Sequence, residues 1–386
     1  MNSISDIASI LAEKGLDGSC GLWRQHIERV SNSDVERVLS ERPGSYSLER
    51  LLVLVSPAAE DHLEHMARQA RQLTIQRFGR TIRLYAPLYL SSYCVNSCRY
   101  CGFNALNKSA RKRLTVEEAA AEADIIAAEG FRDLLLVSSE DRKFVGVDYL
   151  TELAARLRER FSSTSVEIYQ MSTPEYVRLF EAGIEGVTLY QETYDRQAYR
   201  YYHRGGPKAD YDGRLAAVDN FASAGMREIG LGALLGLTDW RTETLALAEH
   251  GHYLMKKYWQ SHLSFSFPRL RPASEVARSE FRRLLSDRNL VQMILALRLC
   301  FADAGLVLST RERAELRDRL MKLGITKVSA GSKTNPGGYS GHDESLRQFE
   351  VDDSRRAAEV AAVIRAEGLE PVWKDWERIP RAAGTT

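Results

Sequence analysis

The sequence predicts an α/β fold, a (βα)8 TIM-type barrel with an N-terminal helical extension. Three observations carry that expectation. From residue 82 onward, short β-rich runs alternate with amphipathic helical stretches. A glycine falls near the end of most of those helices, just before the next run. The runs number eight, which matches a closed barrel of about 250 residues carrying extra segments. Residues 1–80 are expected to form a helical extension and 81–386 a barrel with a C-terminal extension.

The first stretch reads as helix throughout: Ile4 to Glu13, Trp23 to Val30, Asp34 to Glu41, Leu48 to Val55 and Ala58 to Phe78. In the last of these Leu63, Met66, Ala70 and Leu73 recur at helical spacing, and Gly79 ends the pattern. This segment reads as a cap or lid around the barrel. The strands are expected at Tyr85 to Leu90, Leu134 to Val137, Val166 to Tyr169, Val187 to Tyr190 and Ile229 to Leu234, then Leu263 to Phe267, Val307 to Leu308 and Thr326 to Ser329. Pro87 interrupts the first and the seventh is short, so a partial barrel stays open as an alternative. Thr115 and Glu118 form a capping box that opens the helix ending at Gly130, and Thr173-Pro174 opens another that ends at Gly183.

Polar residues collect where these strands end, at the mouth where such barrels do their chemistry. Ser138-Ser139-Glu140, Tyr169-Gln170, Gln191-Glu192-Thr193, Arg269 with Arg271, Thr310-Arg311-Glu312 and Ser332 to Asn335 each follow a strand. The loop after the first strand holds Cys94, Cys98 and Cys101 in a C-x3-C-x2-C array. Soft thiolates suit zinc, copper or iron–sulfur centres. A structural zinc takes four protein ligands, and no fourth Cys or His lies at close spacing. A 4Fe-4S cluster held by three thiolates keeps one iron open, and a small molecule can bind there.

Composition bounds the rest. In 386 residues, hydrophobic side chains make up 44% and charged ones 27%, as expected for an ordinary globular protein. The formal net charge of +1 gives no bulk field for nucleic acid or an anionic membrane, and no stretch is long and apolar enough to span a bilayer. Cys20 and Cys300 are single, which fits a reducing compartment and an expected cytoplasmic location.

The cysteine loop resembles the signature of the radical S-adenosylmethionine (SAM) superfamily, with Tyr100 as the aromatic residue before the third cysteine. From about Leu84 onward the chain resembles the 2-iminoacetate synthase family, the radical SAM tyrosine lyases of thiamine thiazole biosynthesis. The segments that carry this are Tyr93 to Phe103, Tyr190 to Tyr194, Gly205 to Tyr211, Gly230 to Leu237, Ser266 to Pro272, Ser309 to Glu312, Ser329 to Tyr339 and Val372 to Trp376. One departure is Ser138-Ser139 before Glu140, where the superfamily usually has glycines.

The resemblance implies one 4Fe-4S cluster on Cys94, Cys98 and Cys101, and SAM on its open iron. Tyr100, Glu140, Glu192 and Arg214 would meet SAM: Glu140 and Glu192 its ammonium or ribose, Arg214 its carboxylate. Arg269 would clamp the carboxylate of an L-tyrosine substrate, with Ser329 assisting. No protein radical or nucleophile is implied. The expected reaction breaks the Cα–Cβ bond of tyrosine to give 4-methylphenol and 2-iminoacetate, with SAM ending as methionine and 5′-deoxyadenosine. Expected partners are thiazole synthase, which would consume the labile imine, and a reduced flavodoxin- or ferredoxin-type electron donor. A tryptophan lyase, a hydrogenase-maturation tyrosine lyase and a non-catalytic cluster scaffold are the rival readings. The second is disfavoured because it carries a C-terminal cysteine motif, and no cysteine follows Cys300.

Overall fold

The computed structural model of the chain describes residues 6–18, 21–273, 275–277, 284–341 and 347–374. Cys20, Asp375 and Trp376, and the first residues of the helix expected from Ile4, lie outside them. Among the described residues five α-helices precede the sheet, α1 (Ile7–Glu13), α2 (Gly21–Glu28), α3 (Asn32–Ser40), α4 (Leu48–Leu54) and α5 (Leu63–Phe78), the last entered through a 3-10 turn at Ala58–His62. The barrel then alternates. Its first half runs β1 (Thr81–Ser91), α6 (Val116–Ala128), β2 (Asp133–Ser138), α7 (Val147–Leu157), β3 (Ser163–Glu167), α8 (Thr173–Ala182), β4 (Gly186–Glu192), α9 (Arg196–Tyr202) and α10 (Tyr211–Ser223). The second half runs β5 (Glu228–Ala233), α11 (Trp240–Lys257), β6 (His262–Ser266), α12 (Asp287–Cys300), β7 (Gly305–Leu308), α13 (Ala314–Met321), β8 (Lys327–Ser329), α14 (Ala357–Ala366) and β9 (Glu370–Val372).

All pairings are parallel, in the order β2-β3-β4-β5-β6-β7-β8-β1, and β1 pairs back onto β2 to close the ring. The partial-barrel alternative is therefore excluded. Pro87 stays in register with Leu135 because its missing N–H faces the side where β8 has already ended at Ser329. The carbonyl of Pro87 on that side accepts from Tyr339 Oη at 2.8 Å. The ninth strand, which sequence patterning did not give, pairs Glu370–Val372 with Thr81–Arg83 and extends the wall of β1 below β2.

Alternation within each strand sorts its residues. Leu134, Leu136, Val166 and Ile229 point outward into the buried layer beneath the helices. Tyr85, Leu135, Glu167, Tyr190, Ser266 and Lys327 point into the lumen. At the lower end four charges plug the lumen: Arg83 meets Asp133 and Glu228 at 2.7 Å each, and Lys327 meets the same two carboxylates at 2.7 and 3.6 Å. Gly232 is required by close approach, since a Cβ there would sit 2.6 Å from the Tyr190 ring.

The N-terminal helices buttress the barrel flank rather than cover its mouth. α4 packs on α11 and α12, α5 on α12, and α1 on α10 and α11. Their apolar residues, including Ile7, Leu11, Val35, Leu51 and Met66, join the same buried cluster as the barrel. Gln292 Nε2 ties them in through the carbonyls of Leu54 and Ser56 at 3.1 and 2.7 Å.

Candidate active site

A cavity of about 1060 Å³, counting its open mouth, sits above the C-terminal ends of the strands. Cys94, Cys98 and Cys101 all line it, as do Tyr100, Glu140, Glu192 and Arg214. A second chamber of about 560 Å³ continues downward into the barrel, and the two share Tyr89, Glu167, Tyr190 and Arg311. Ser329 lines the lower chamber only.

The cysteine loop is held from both sides. Its backbone pairs with the segment after α9: Ser97 N donates to Gly205 O at 3.0 Å, Arg99 N to Tyr202 O at 3.0 Å, and Cys98 bridges His203. Tyr100 Oη lies 2.8 Å from His203 Nε2, while His203 Nδ1 donates to Tyr199 O at 2.8 Å, so Nε2 is the acceptor for the phenol. Burial, reinforced by the Lys208 charge, pushes His203 down to about 3 and keeps it neutral. Asn96 does three jobs: Nδ2 donates to Glu140 Oε2 at 2.8 Å and approaches Cys94 Sγ at 3.6 Å, and Oδ1 accepts from Lys208 N at 2.9 Å.

The three sulfurs fit a cluster. All are free thiols, and burial pushes Cys98 up to about 12 and raises Cys101. Such sulfurs ionise only beside a strong positive charge, which iron supplies. Among the described residues no three His, Cys, Asp or Glu side chains converge on a single point as one metal ion would require. Thiolates bound to separate corners of an iron–sulfur cube do not need to converge. Asn96 N, 3.5 Å from Cys94 Sγ, and Gln348 Nε2, 3.7 Å from Cys101 Sγ, supply the sulfur hydrogen bonds that tune such clusters.

Around the thiols the charges are arranged for a zwitterionic ligand. Glu192 ends β4 at a bulge, with φ +70°, a conformation that costs a non-glycine residue about 1–3 kcal/mol. Lys208 Nζ contacts its Oε1 at 2.6 Å and an Arg214 nitrogen lies at 3.8 Å. Burial works to raise the Glu192 carboxyl, but Lys208 and Arg214 together hold it below the usual carboxylate range. Arg214 is further fixed by Nε donating to Tyr190 O at 2.8 Å. Glu140 is buried with Arg142 Nε 3.1 Å from its Oε1. Ser138 and Ser139 both face the cavity, and Ser138 Oγ donates to Ser139 O at 2.9 Å.

Arg269 is placed differently from the sequence expectation. Its guanidinium forks onto Glu312, with Nε 2.8 Å from Oε1 and a second contact to Oε2, and also meets Asp287 at 2.8 Å and Leu285 O at 3.0 Å. It does not line either chamber. The arginine that faces both is Arg311, whose guanidinium lies 3.5 Å from the centre of the Phe349 ring and, among the described residues, hydrogen-bonds only the Arg269 carbonyl, at 3.5 Å. Glu167, at the end of β3, was also missed. Burial raises its pKa, partly offset by the Tyr190 hydroxyl and the Arg311 charge. Gln191 and Thr193 point elsewhere, Thr193 Oγ1 donating to Glu243 at 2.5 Å.

The Radical SAM superfamily matches residues 88–248, and the Biotin and Thiamin Synthesis associated domain matches residues 266–370. The chain is 44% identical over 364 residues to the 2-iminoacetate synthases of Escherichia coli (strain K12) and Salmonella typhimurium, covering 92% of this chain and 96% of each relative. A crystal structure of HydG, a maturase of the FeFe-hydrogenase, superposes with a TM-score of 0.86 at 34% identity, over 91% of this chain and 79% of that one. With three cavity-facing thiols at the barrel mouth and relatives matched across almost their whole length, the chain belongs to the radical SAM superfamily and, within it, to the 2-iminoacetate synthase family.

Proposed function

We propose that the chain cleaves the Cα–Cβ bond of L-tyrosine, releasing 4-methylphenol and 2-iminoacetate for thiamine thiazole formation. The observation that carries the reading is the continuity of the two chambers. A thiol-lined upper space shares its floor with a polar lumen inside the barrel. When bound, the 4Fe-4S cluster and SAM supply a 5′-deoxyadenosyl radical at the cost of one electron. The chain's own residues do the rest.

Cys94, Cys98 and Cys101 would hold the cluster. Arg214 is positioned to take the SAM carboxylate, Glu140 and Glu192 the ammonium or ribose hydroxyls, and Tyr100 packs the loop in place through His203. In the lower chamber Arg311, rather than Arg269, is the candidate clamp for the tyrosine carboxylate, because its charge faces the lumen without an acidic partner among the described residues. Ser329 Oγ, which accepts from Thr310 N at 3.1 Å, borders the same space. Glu167 stands between the chambers, where it can accept a proton from the substrate ammonium and leave the amine neutral. Enclosure of the lumen by Tyr85, Tyr89 and Tyr190 would keep water from the radical and the imine.

Because 2-iminoacetate hydrolyses readily, direct transfer to thiazole synthase is part of the proposal. A low-potential flavodoxin- or ferredoxin-type protein is the proposed electron donor and the cytoplasm the proposed location. The described residues include no helix long and apolar enough to cross a membrane. Anaerobic incubation of the reconstituted protein with SAM, reductant and either tyrosine or tryptophan tests the reading. Formation of 4-methylphenol from tyrosine is expected, and a methylindole carboxylate from tryptophan instead would assign the rival activity.

A further inference from the structure

The outer surface of the cysteine loop combines positive charge with exposed apolar side chains. Residues 93–113 contain five lysines and arginines and no acid, and residues 196–209 contain four more and no acid. Those nine charges exceed the +1 of the whole chain, so the remainder carries a net −8. The two segments form one surface. Arg204 N donates to Ser97 O at 3.3 Å, Ser97 N to Gly205 O at 3.0 Å, and Arg99 Nε to Tyr201 O at 2.9 Å.

Some of these cations are committed inside the protein: Lys208 to Glu192, Arg196 to Asp17 and Asp212, and Arg113 to Asp141. Others are not. Arg200 and Arg204 are exposed, and neither side chain has an ion-pair partner among the described residues. On the same surface Tyr93, Val95, Leu106 and Tyr201 are 39, 58, 67 and 49% exposed, four of the nine large hydrophobic side chains left exposed among the described residues. Arg113 stacks on Tyr93 at 4.0 Å and Arg99 on Tyr201 at 4.2 Å, so charge and apolar area are interleaved.

We propose that this face is the docking site of an acidic one-electron carrier protein, an inference that rests on the radical reading of the thiol site behind it. Charge complementarity selects the partner, since a basic rim around an apolar centre favours a protein with an acidic face and speeds its encounter. Position gives the purpose. Tyr93, Val95, Arg99 and Leu106 belong to the loop that carries the three cysteines, so a carrier seated here would have a short path for one electron. The carrier is oxidised by one electron, and the site behind the loop is reduced by one.

The test uses the full-length reconstituted protein with a purified acidic flavodoxin, reduced enzymatically, against dithionite as a small reductant. The double variant R200E/R204E alters two residues that touch neither cavity. The flavodoxin-driven rate of 5′-deoxyadenosine formation should fall about tenfold in the variant and also fall with salt in the wild type, while the dithionite-driven rate and the iron content stay unchanged. Equal flavodoxin-driven rates in wild type and variant would overturn the docking site. Equal loss with both reductants would overturn it too, by showing that the change disturbs the loop itself. If wild type forms no 5′-deoxyadenosine even with dithionite, the radical reading fails first and the docking proposal with it.

Discussion

Lys208 Nζ lies 2.6 Å from Glu192 Oε1, joining the loop that braces the cysteines to the bulge that ends β4. Both side chains are largely buried, 17 and 8% exposed, so the pair is not a surface ion pair of negligible strength. Replacing Lys208 with Met leaves the Glu192 carboxylate with Arg214 at 3.8 Å as its nearest cation. Unfolding in urea under anaerobic conditions should show a loss of about 3 kcal/mol, and equilibrium dialysis should show weaker SAM binding.

Arg269 is held by Glu312 and Asp287, whereas Arg311 lines both chambers and is the proposed clamp for the substrate carboxylate. Arg311→Lys removes the planar fork and should raise KM for tyrosine by roughly 30-fold while leaving thermal stability near wild type. Arg269→Met strands Glu312, which is 1% exposed, and should cost about 3–5 kcal/mol of stability. Steady-state kinetics and denaturant unfolding on both variants check the assignment. A KM effect confined to Arg269→Met would return the clamp to that residue.

His250 gives a pH prediction. Burial, only partly offset by Asp219, pushes it down to about 4, and Tyr194 Oη lies 2.9 Å from its Nδ1. Its folded pKa is below its unfolded value of 6.5, so the unfolded chain binds the extra proton as pH falls. This residue therefore costs stability between pH 6.5 and 4, with a slope approaching about 1.4 kcal/mol per pH unit. Chemical unfolding across that range should show a shallower decline for His250→Asn, which does not titrate.

Arg298 is fully buried and donates to four carbonyls near the end of α12: Phe301, Ala302 and Ala304 through one nitrogen and Gly324 through the other, at 2.8–3.1 Å. It satisfies buried carbonyls of the turn between α12 and β7 and of the turn after α13, tying the two together. Arg298→Met should destabilise the protein by at least about 3 kcal/mol, read from denaturant midpoints, with cysteine-loop iron content unchanged after reconstitution.

Much of this was legible in the sequence. The eight barrel strands stand out because runs such as Leu134 to Val137 are buried on both faces and glycines mark the helix ends. β9 was not, since three residues that include Pro371 carry no pattern. The cysteine loop, Glu140 and Glu192 fall at strand ends and Arg214 near the start of α10, and the structure brings them around one cavity. Arg269 and Arg311 could not be told apart, because both lie past their strands, where alternation no longer says which way a side chain points. Glu167 could have been found. Ser165 and Glu167 flank the fully buried Val166, so period-two reading puts the carboxylate on the lumen face. Lys208 and His203 left no such trace, as their roles depend on a loop packing against another loop.

The central claim is that three protein thiolates hold an iron–sulfur cube and leave one iron for SAM. Electron paramagnetic resonance of the reduced, reconstituted protein, with iron and sulfide counted on the same sample, tests it most directly. The account predicts four irons and four sulfides per chain, a spectrum that shifts when SAM is added, and loss of the signal in Cys94→Ala, Cys98→Ala or Cys101→Ala. One zinc without sulfide, or a reduced cluster whose spectrum ignores SAM, would contradict it.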